Sequence, residues 1–109
     1  MARGEATLCV TQAGFAIVGP GGVQPVGLAD IASITAYKRD ELVTDLLCWD
    51  VEIGSGESAR TITLHEELPG FDAVTKACEA LPGFDDGWRG AVLRTPFQAN
   101  ATQVYRCAH

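Results

Sequence analysis

The segment from Leu46 to His65 decides the fold, and it reads LLCWDVEIGSGESARTITLH. In its first half apolar side chains alternate with mostly polar ones, the pattern of a strand that is buried on one face. The predicted inner set is Leu47, Trp49, Val51 and Ile53, and the outer set is Leu46, Cys48, Asp50 and Glu52. We therefore predict an antiparallel strand with one face on the core and one face wet.

A turn within the same segment predicts a hairpin. Gly54-Ser-Gly-Glu-Ser58 separates this strand from a second one, Arg60–His65. One register brings the apolar side chains of both strands to the same face. On that face it pairs Ile53 with Arg60, Val51 with Ile62 and Trp49 with Leu64. On the other face it pairs Glu52 with Thr61, Asp50 with Thr63 and Cys48 with His65. A shift of one residue would turn the apolar side chains of the second strand toward water.

Strand patterns also fill the chain before Leu46. The predicted strands are Thr7–Val10, Phe15–Val18, Val23–Val26 and Ile34–Lys38, with a short helical turn at Leu28–Ser33 and a charged loop at Arg39–Thr44. Glycine-rich turns separate the first three strands. Pro25 has no N–H to donate to a neighbouring strand, so the third strand is expected at an edge.

The hydrophobic period changes after Glu67. Phe71, Val74, Thr75, Cys78 and Leu81 recur at helical spacing. They predict an amphipathic helix over Pro69–Ala80, which Pro82-Gly83 ends. A second short helix is expected within Asp85–Leu93 and a last strand at Gln103–Cys107.

These patterns predict an α+β fold. A curved antiparallel sheet or partly open barrel of five to seven strands packs on one main C-terminal helix. The 109 residues are enough for one core, so residues 1–109 are expected to form a single domain.

Apolar spacings in the middle of the chain carry a resemblance to a known family. They comprise Leu28-Ala-Asp-Ile31-Ala-Ser-Ile34, a polar gap with Asp40 and Asp45, the strand Leu46–Ile53, Gly54-Ser-Gly56 and Thr61-Ile-Thr-Leu64. The stretch Val26–Leu64 resembles bacterial pleckstrin-homology-like (PH-like) domains, which implies a bent seven-stranded barrel closed at one end by a C-terminal helix. Lipid-binding members carry a basic loop between their first strands. Neither Thr11-Gln-Ala-Gly14 nor Gly19-Pro-Gly-Gly22 is basic, so no phosphoinositide ligand is expected.

A second combination of residues resembles a set of small uncharacterised bacterial proteins. It consists of Ala36-Tyr-Lys-Arg-Asp40, Glu66-Glu-Leu-Pro-Gly-Phe71 and Trp88. This resemblance implies no activity. Fold resemblance alone carries no function in any case.

The net charge of the chain limits the classes of binding partner that we expect. The chain has 14 acidic and 8 basic residues, for a net charge of -6, and the basic residues are dispersed. Nucleic acid and anionic membranes are not expected as partners, because both require a concentrated basic face. Residues 1–6 contain no apolar run typical of a signal peptide, which favours a cytoplasmic protein.

The four cysteines do not form a metal-binding motif. Cys9, Cys48, Cys78 and Cys107 are widely separated, whereas structural zinc ligands usually come in close pairs. We interpret them as free thiols, mostly buried, and expect no metal and no cofactor.

Acidic residues and two aromatics form the candidate binding site. The predicted site residues are Tyr37, Asp40, Glu41, Asp45, Glu66, Glu67 and Trp88. We predict a non-catalytic interaction module, not an enzyme, whose acidic edge meets a basic protein partner, as an immunity protein does. For Trp88 the alternative is to close the core together with Phe84 and Phe97.

Two other functions stay open. In the predicted register Cys48 faces His65, which gives a thiol and an imidazole that a small-molecule binder or a minor enzyme could use. A homodimer could form through an exposed edge strand such as Val23–Val26.

Overall fold

The structure is a computed structural model that describes residues 6–40, 45–93 and 101–107. Within these residues it is α+β, as predicted, with seven strands and two helices. The strands are β1 (Thr7–Val10), β2 (Gly14–Gly19), β3 (Gly22–Gly27), β4 (Ile31–Asp40), β5 (Asp45–Ile53), β6 (Arg60–His65) and β7 (Thr102–Arg106). The helices are α1 (Phe71–Glu79) and α2 (Trp88–Leu93), and short 3₁₀ turns occupy Leu28–Asp30 and Gly56–Ser58.

The β5–β6 hairpin has the predicted register. Its pairs include Ile53 with Arg60, Val51 with Ile62 and Trp49 with Leu64. Gly54 and Gly56 in the turn have φ angles of 81° and 61°, in the left-handed region that glycine adopts without a Cβ penalty. Because one face of the sheet is buried, the alternation of residue types was enough to specify this pairing.

The strands form two antiparallel sheets, which corrects the expectation of one curved sheet. The strand orders are β1-β2-β3 and β6-β5-β4-β7, and within the described ranges no strand of one sheet pairs with the other. The 3₁₀ turn at Leu28–Asp30 separates β3 from β4, and the Leu28 N–H donates to the Ala13 carbonyl at 2.9 Å. One buried apolar cluster contains side chains from both sheets.

β4 is longer than predicted at both ends. It begins at Ile31, not Ile34, and continues to Asp40, which the sequence assigned to a loop. The pairing with β5 shifts between Ile31 and Ser33, so Ile31 and Ile34 are both buried although they are three residues apart. This β-bulge produced the three-residue spacing that suggested a longer helical turn.

One strand was predicted to lie at an edge, and the structure confirms it. β3 pairs only with β2, so Pro25 lies in an edge strand as expected. The last strand, β7, begins at Thr102 and pairs with β4 on the side away from β5. It therefore completes the four-stranded sheet.

Helix α1 is shorter than the predicted Pro69–Ala80. Its buried face consists of Phe71, Val74, Thr75 and Cys78. The helix starts at Phe71 because the preceding residues form a junction with β1: the Leu8 N–H donates to the Pro69 carbonyl at 2.7 Å. Gly70 follows with a φ of 91°.

Trp49 lies at the centre of an aromatic cluster that joins β5 to the C-terminal part of the chain. Its ring centroid lies 5.7 Å from Phe71, 5.7 Å from Phe84 and 5.2 Å from Trp88. Trp88 and Phe84 therefore help to close the core, while Phe97 lies outside the described residues. In the described part of the chain no helix has the length and apolar character needed to cross a membrane.

Candidate functional site

Three of the predicted acidic residues belong to the connection between β4 and β5. Asp40 ends β4 and Asp45 begins β5, and the two are register partners. Glu41 lies outside the described residues. The hairpin therefore brings two acidic positions to the same end of the four-stranded sheet.

Glu66 and Glu67 lie at this end as well. The Glu66 N–H donates to the Leu47 carbonyl at 3.0 Å, and the Leu47 N–H donates to Glu66 Oε2 at 3.1 Å. Leu47 is two residues from Asp45, so Glu66 and Glu67 follow β6 next to the start of β5. We call Asp40, Asp45, Glu66 and Glu67 the acidic end.

Tyr37 lies on the side of the four-stranded sheet that faces away from the core, which we call the outer face. The Tyr37 hydroxyl donates to Asp50 Oδ1 at 3.1 Å, and the Thr63 hydroxyl donates to the same oxygen at 2.8 Å. The Ser33 hydroxyl donates to Glu52 Oε1 at 3.0 Å. Polar cross-strand contacts thus connect β4, β5 and β6.

The Tyr37–Asp50 contact stabilises the neutral phenol. Burial, followed by the hydrogen bond and the charge of Asp50, raises the pKa of Tyr37 from 10.0 to about 12. A folded-state pKa above the unfolded value means that this contribution to stability is present below pH 10 and is lost as the pH rises from about 10 through about 12.

We expect Asp50→Asn to lower the pKa of Tyr37 while leaving it above 10, because the asparagine removes a negative charge but not the burial. The measurement is the Tyr37 ¹³Cζ chemical shift as a function of pH. A pKa that is the same in both proteins would show that Asp50 does not act on Tyr37.

Trp88 does not offer an exposed binding surface, which corrects its inclusion among the binding residues. Its side chain is fully buried, and its Nε1–H donates to Glu79 Oε2 at 2.9 Å. The Arg89 guanidinium lies 4.9 Å from the Trp88 ring. Trp88 therefore links α2 to α1 and contributes to the core, which is the alternative role that the sequence allowed.

Cys48 and His65 are cross-strand partners, as the register predicted. Cys48 is fully buried, and its Sγ lies 3.6 Å from the Leu46 carbonyl oxygen. His65 Nδ1 accepts a hydrogen bond from the Glu67 N–H at 3.2 Å. In the neutral imidazole the proton is then on Nε2, so neither ring nitrogen is free to accept the thiol proton.

Thiol labelling checks this arrangement. Cys9 is exposed, whereas Cys48 and Cys78 are buried, and burial together with the charge of Glu79 raises the pKa of Cys78 to about 12. Because the thiolate is the reactive form, we expect a disulfide reagent to modify Cys9 in the folded protein, and Cys48 and Cys78 only after unfolding. A Cys48 that reacts as fast as Cys9 would instead favour the thiol–imidazole function.

Potential metal ligands do not come together in the described part of the chain. Within residues 6–40, 45–93 and 101–107, no group of three or more histidine, cysteine, aspartate or glutamate side chains is placed to hold a metal ion. The described cysteines form no disulfide bond with one another.

Sequence reasoning missed Asp50 as a site residue. The period-2 pattern placed Asp50 opposite Thr63 on the wet face, but it did not show that Tyr37, two strands from Thr63, contacts the same carboxylate. That contact depends on the β4–β5 register, in which Tyr37 pairs with Cys48 next to Asp50. The pairing of β4 with β5, which was not predicted from the sequence, was the missing step.

The arrangement is a sheet face that is polar at Asp50, Glu52 and the threonines of β6, with an acidic end. Leu46 and Cys48, which the alternation placed on the same wet face, are buried instead. Glu67 is exposed, and Tyr37 is partly exposed. Comparison of the chain with models of known protein families, with curated proteins and with solved structures gives no match.

Proposed function

We propose that this protein is a non-catalytic interaction module that binds a basic protein partner at the acidic end. The observation that carries the proposal is the convergence of acidic positions from three parts of the sequence. The β4–β5 pairing brings Asp40 and Asp45 together, and the bonds between Glu66 and Leu47 add the residues after β6. A cluster of one sign of charge attracts the opposite sign over several ångströms and speeds association.

Two basic residues also lie near this end and reduce its charge. Lys38 is buried, and both Lys38 and Arg39 have contacts within the chain. Exposed Glu67 remains the described carboxylate best placed to meet a partner.

The outer face would supply the short-range part of recognition. Tyr37 is held by Asp50 in a fixed orientation, and an ordered aromatic side chain loses little conformational entropy on binding. Binding would then start with electrostatic attraction to the acidic end and finish with burial of the Tyr37 ring. The proposal includes a cytoplasmic location, with free cysteines in a reducing compartment.

The relation to PH-like domains is part of the proposal. Seven antiparallel strands, with the longer helix α1 after the sixth of them, support it. The separate pairing of the two sheets and the presence of α2 and β7 after the main helix depart from the pattern. No lipid ligand follows from the relation.

The test is the affinity for decalysine, measured by fluorescence anisotropy at increasing salt. We expect binding that weakens as the salt concentration rises, because screening shortens the range of the attraction. Glu67→Lys is expected to weaken binding about tenfold, as removal of a close charge complement does.

Glu57→Lys is the matched control. Glu57 lies in the turn between β5 and β6, at the opposite end of the sheet, and each variant changes the net charge from -6 to -4. We expect the control to weaken binding less than about threefold, since only the long-range field changes. Equal effects of both variants, or no binding to decalysine, would contradict the proposal.

A further inference from the structure

Strand edges are the places where a sheet can accept another chain, and among the described residues three of the four edges are interrupted at a backbone group that is already bonded or is missing. On β1 the Leu8 N–H is occupied by the Pro69 carbonyl. On β3, Pro25 has no N–H to offer. On β7 the Val104 carbonyl accepts the Asp85 N–H at 2.8 Å. β6, at the end of the four-stranded sheet, is the remaining edge.

The register shows which backbone groups β6 presents outward. The Glu66 N–H donates to the Leu47 carbonyl, so the residues that bond to β5 are Arg60, Ile62 and Leu64 of β6 and Glu66 just after it. The N–H and C=O groups of Thr61 and Thr63 therefore point away from the sheet. Among the described residues nothing bonds to them, and both residues are exposed.

The side chains behind this edge carry negative charge. Thr61 pairs with Glu52 and Thr63 pairs with Asp50, so each carboxylate lies one strand in from the edge on the outer face. Within the described part of the chain these carboxylates have hydroxyl partners, but no cation pairs with Glu52 or Asp50. The short threonine side chains leave room for a longer side chain to cross β6 and reach them.

The opposite side of β6 suits an apolar residue. Ile62 is only partly buried and packs at the margin of the core, while Leu64 is fully buried. An added strand would place alternate residues on the two faces, because successive side chains point to opposite sides. It would therefore contact Ile62 with one residue and the carboxylates with its neighbours.

We propose that β6 is the docking edge for an extended segment of the partner in which basic and apolar residues alternate. The segment adds as a further strand, its backbone bonds to Thr61 and Thr63, and its lysine or arginine side chains cross the threonines to Glu52 and Asp50. This inference rests on the proposed function, since it specifies how a basic partner is held once the acidic end has attracted it.

The test uses an octapeptide that alternates lysine and valine, with amide hydrogen exchange as the readout. In the free protein the Thr61 and Thr63 amides should exchange fast and the Ile62 and Leu64 amides slowly. The peptide should slow exchange at Thr61 and Thr63 at least about tenfold, because their N–H groups become bonded. The same peptide N-methylated at its lysine amides keeps its charge but should bind at least about tenfold more weakly.

A pair of variants tests the edge from the protein side. Thr61→Lys puts a long cation across the path to Glu52 and should weaken peptide binding about tenfold. Gln24→Lys makes the same change of charge at an exposed residue of β3, an edge strand of the other sheet, and should change the affinity for the peptide less than about threefold. Slow exchange at Ile62 and Leu64 verifies that each variant is folded.

The possible outcomes separate this inference from the proposed function. Tight binding of both octapeptides, with no protection at Thr61 and Thr63, would overturn strand addition while leaving the acidic end as the binding site. No binding of either octapeptide or of decalysine would overturn both. Protection of Thr61 and Thr63 that grows with protein concentration alone would show that a second copy of the chain occupies the edge, and would overturn the assignment to a basic partner.

Discussion

Trp49→Ala is expected to lower the free energy of unfolding by about 3–5 kcal/mol, the range for truncating a large aromatic side chain in a core. Trp49 is fully buried and contacts Phe71, Phe84 and Trp88. Its loss would leave a cavity where β5, α1 and α2 meet. Chemical denaturation monitored by circular dichroism measures the change.

Two further variants keep this prediction specific. Trp49→Phe retains most of the ring and removes an indole N–H that has no hydrogen-bond partner within the described residues, so its cost should be only about 1–2 kcal/mol. Val23→Ala, at a side chain that is 65% exposed, should change stability by less than about 0.5 kcal/mol. A small effect of Trp49→Ala would mean that the aromatic cluster does not hold the helices on the sheet.

Gly70→Ala is expected to cost about 3 kcal/mol or more, from strain and a steric clash together. Gly70 has a φ of 91°, and a Cβ there would lie 2.0 Å from the Leu8 carbonyl oxygen. Relief of the clash requires the loop before α1 to move away from β1, which would break the bond from the Leu8 N–H to the Pro69 carbonyl. The expected result is a lower unfolding midpoint together with faster amide exchange at Leu8.

Gly83→Ala isolates the contribution of the close approach. Gly83 has a similar φ of 82°, but among the described residues no atom beyond its chain neighbours lies within 4 Å of the position that its Cβ would take. It should therefore cost only the left-handed strain of about 1–2 kcal/mol. Equal destabilisation by the two alanine substitutions would show that the close approach of β1 to Gly70 adds nothing to the cost of the substitution.

The parts of the fold that the sequence predicted are those set by side-chain alternation. The β5–β6 register follows from the rule that a one-residue slip would expose Ile62 and Leu64 to water. Helix α1 follows from the period of Phe71, Val74 and Cys78, and Pro25 correctly indicated an edge. In each case a local pattern determines which side chains are buried.

The parts that the sequence did not predict depend on contacts between distant residues. The bulge between Ile31 and Ser33 interrupts the two-residue alternation within β4. A sequence pattern that assumes a constant alternation does not locate such a bulge. The burial of Trp88 depends on where α2 packs, and its bond to Glu79 joins two helices. The contact from Tyr37 to Asp50 likewise requires the pairing of β4 with β5.

The sequence predicted which acidic residues belong to the candidate site better than it predicted how the site is arranged. The sequence identified Asp40, Asp45, Glu66 and Glu67 as an acidic edge, and the backbone pairing brings these positions to one end of the sheet. It did not identify Thr61 and Thr63, because their role depends on which strands lie at the sheet edges and on what contacts each of the four edges. The proposed strand addition therefore follows only from the complete sheet topology.

The most direct test of the proposed function is an amide chemical-shift map recorded during titration with decalysine at low salt. We predict that the largest shifts fall at residues 38–40, 45–48 and 65–67, and that they fade as salt is added. Largest shifts around Asp72 and Asp86 on the helical side, or shifts spread evenly over the acidic residues, would contradict a basic partner at the acidic end.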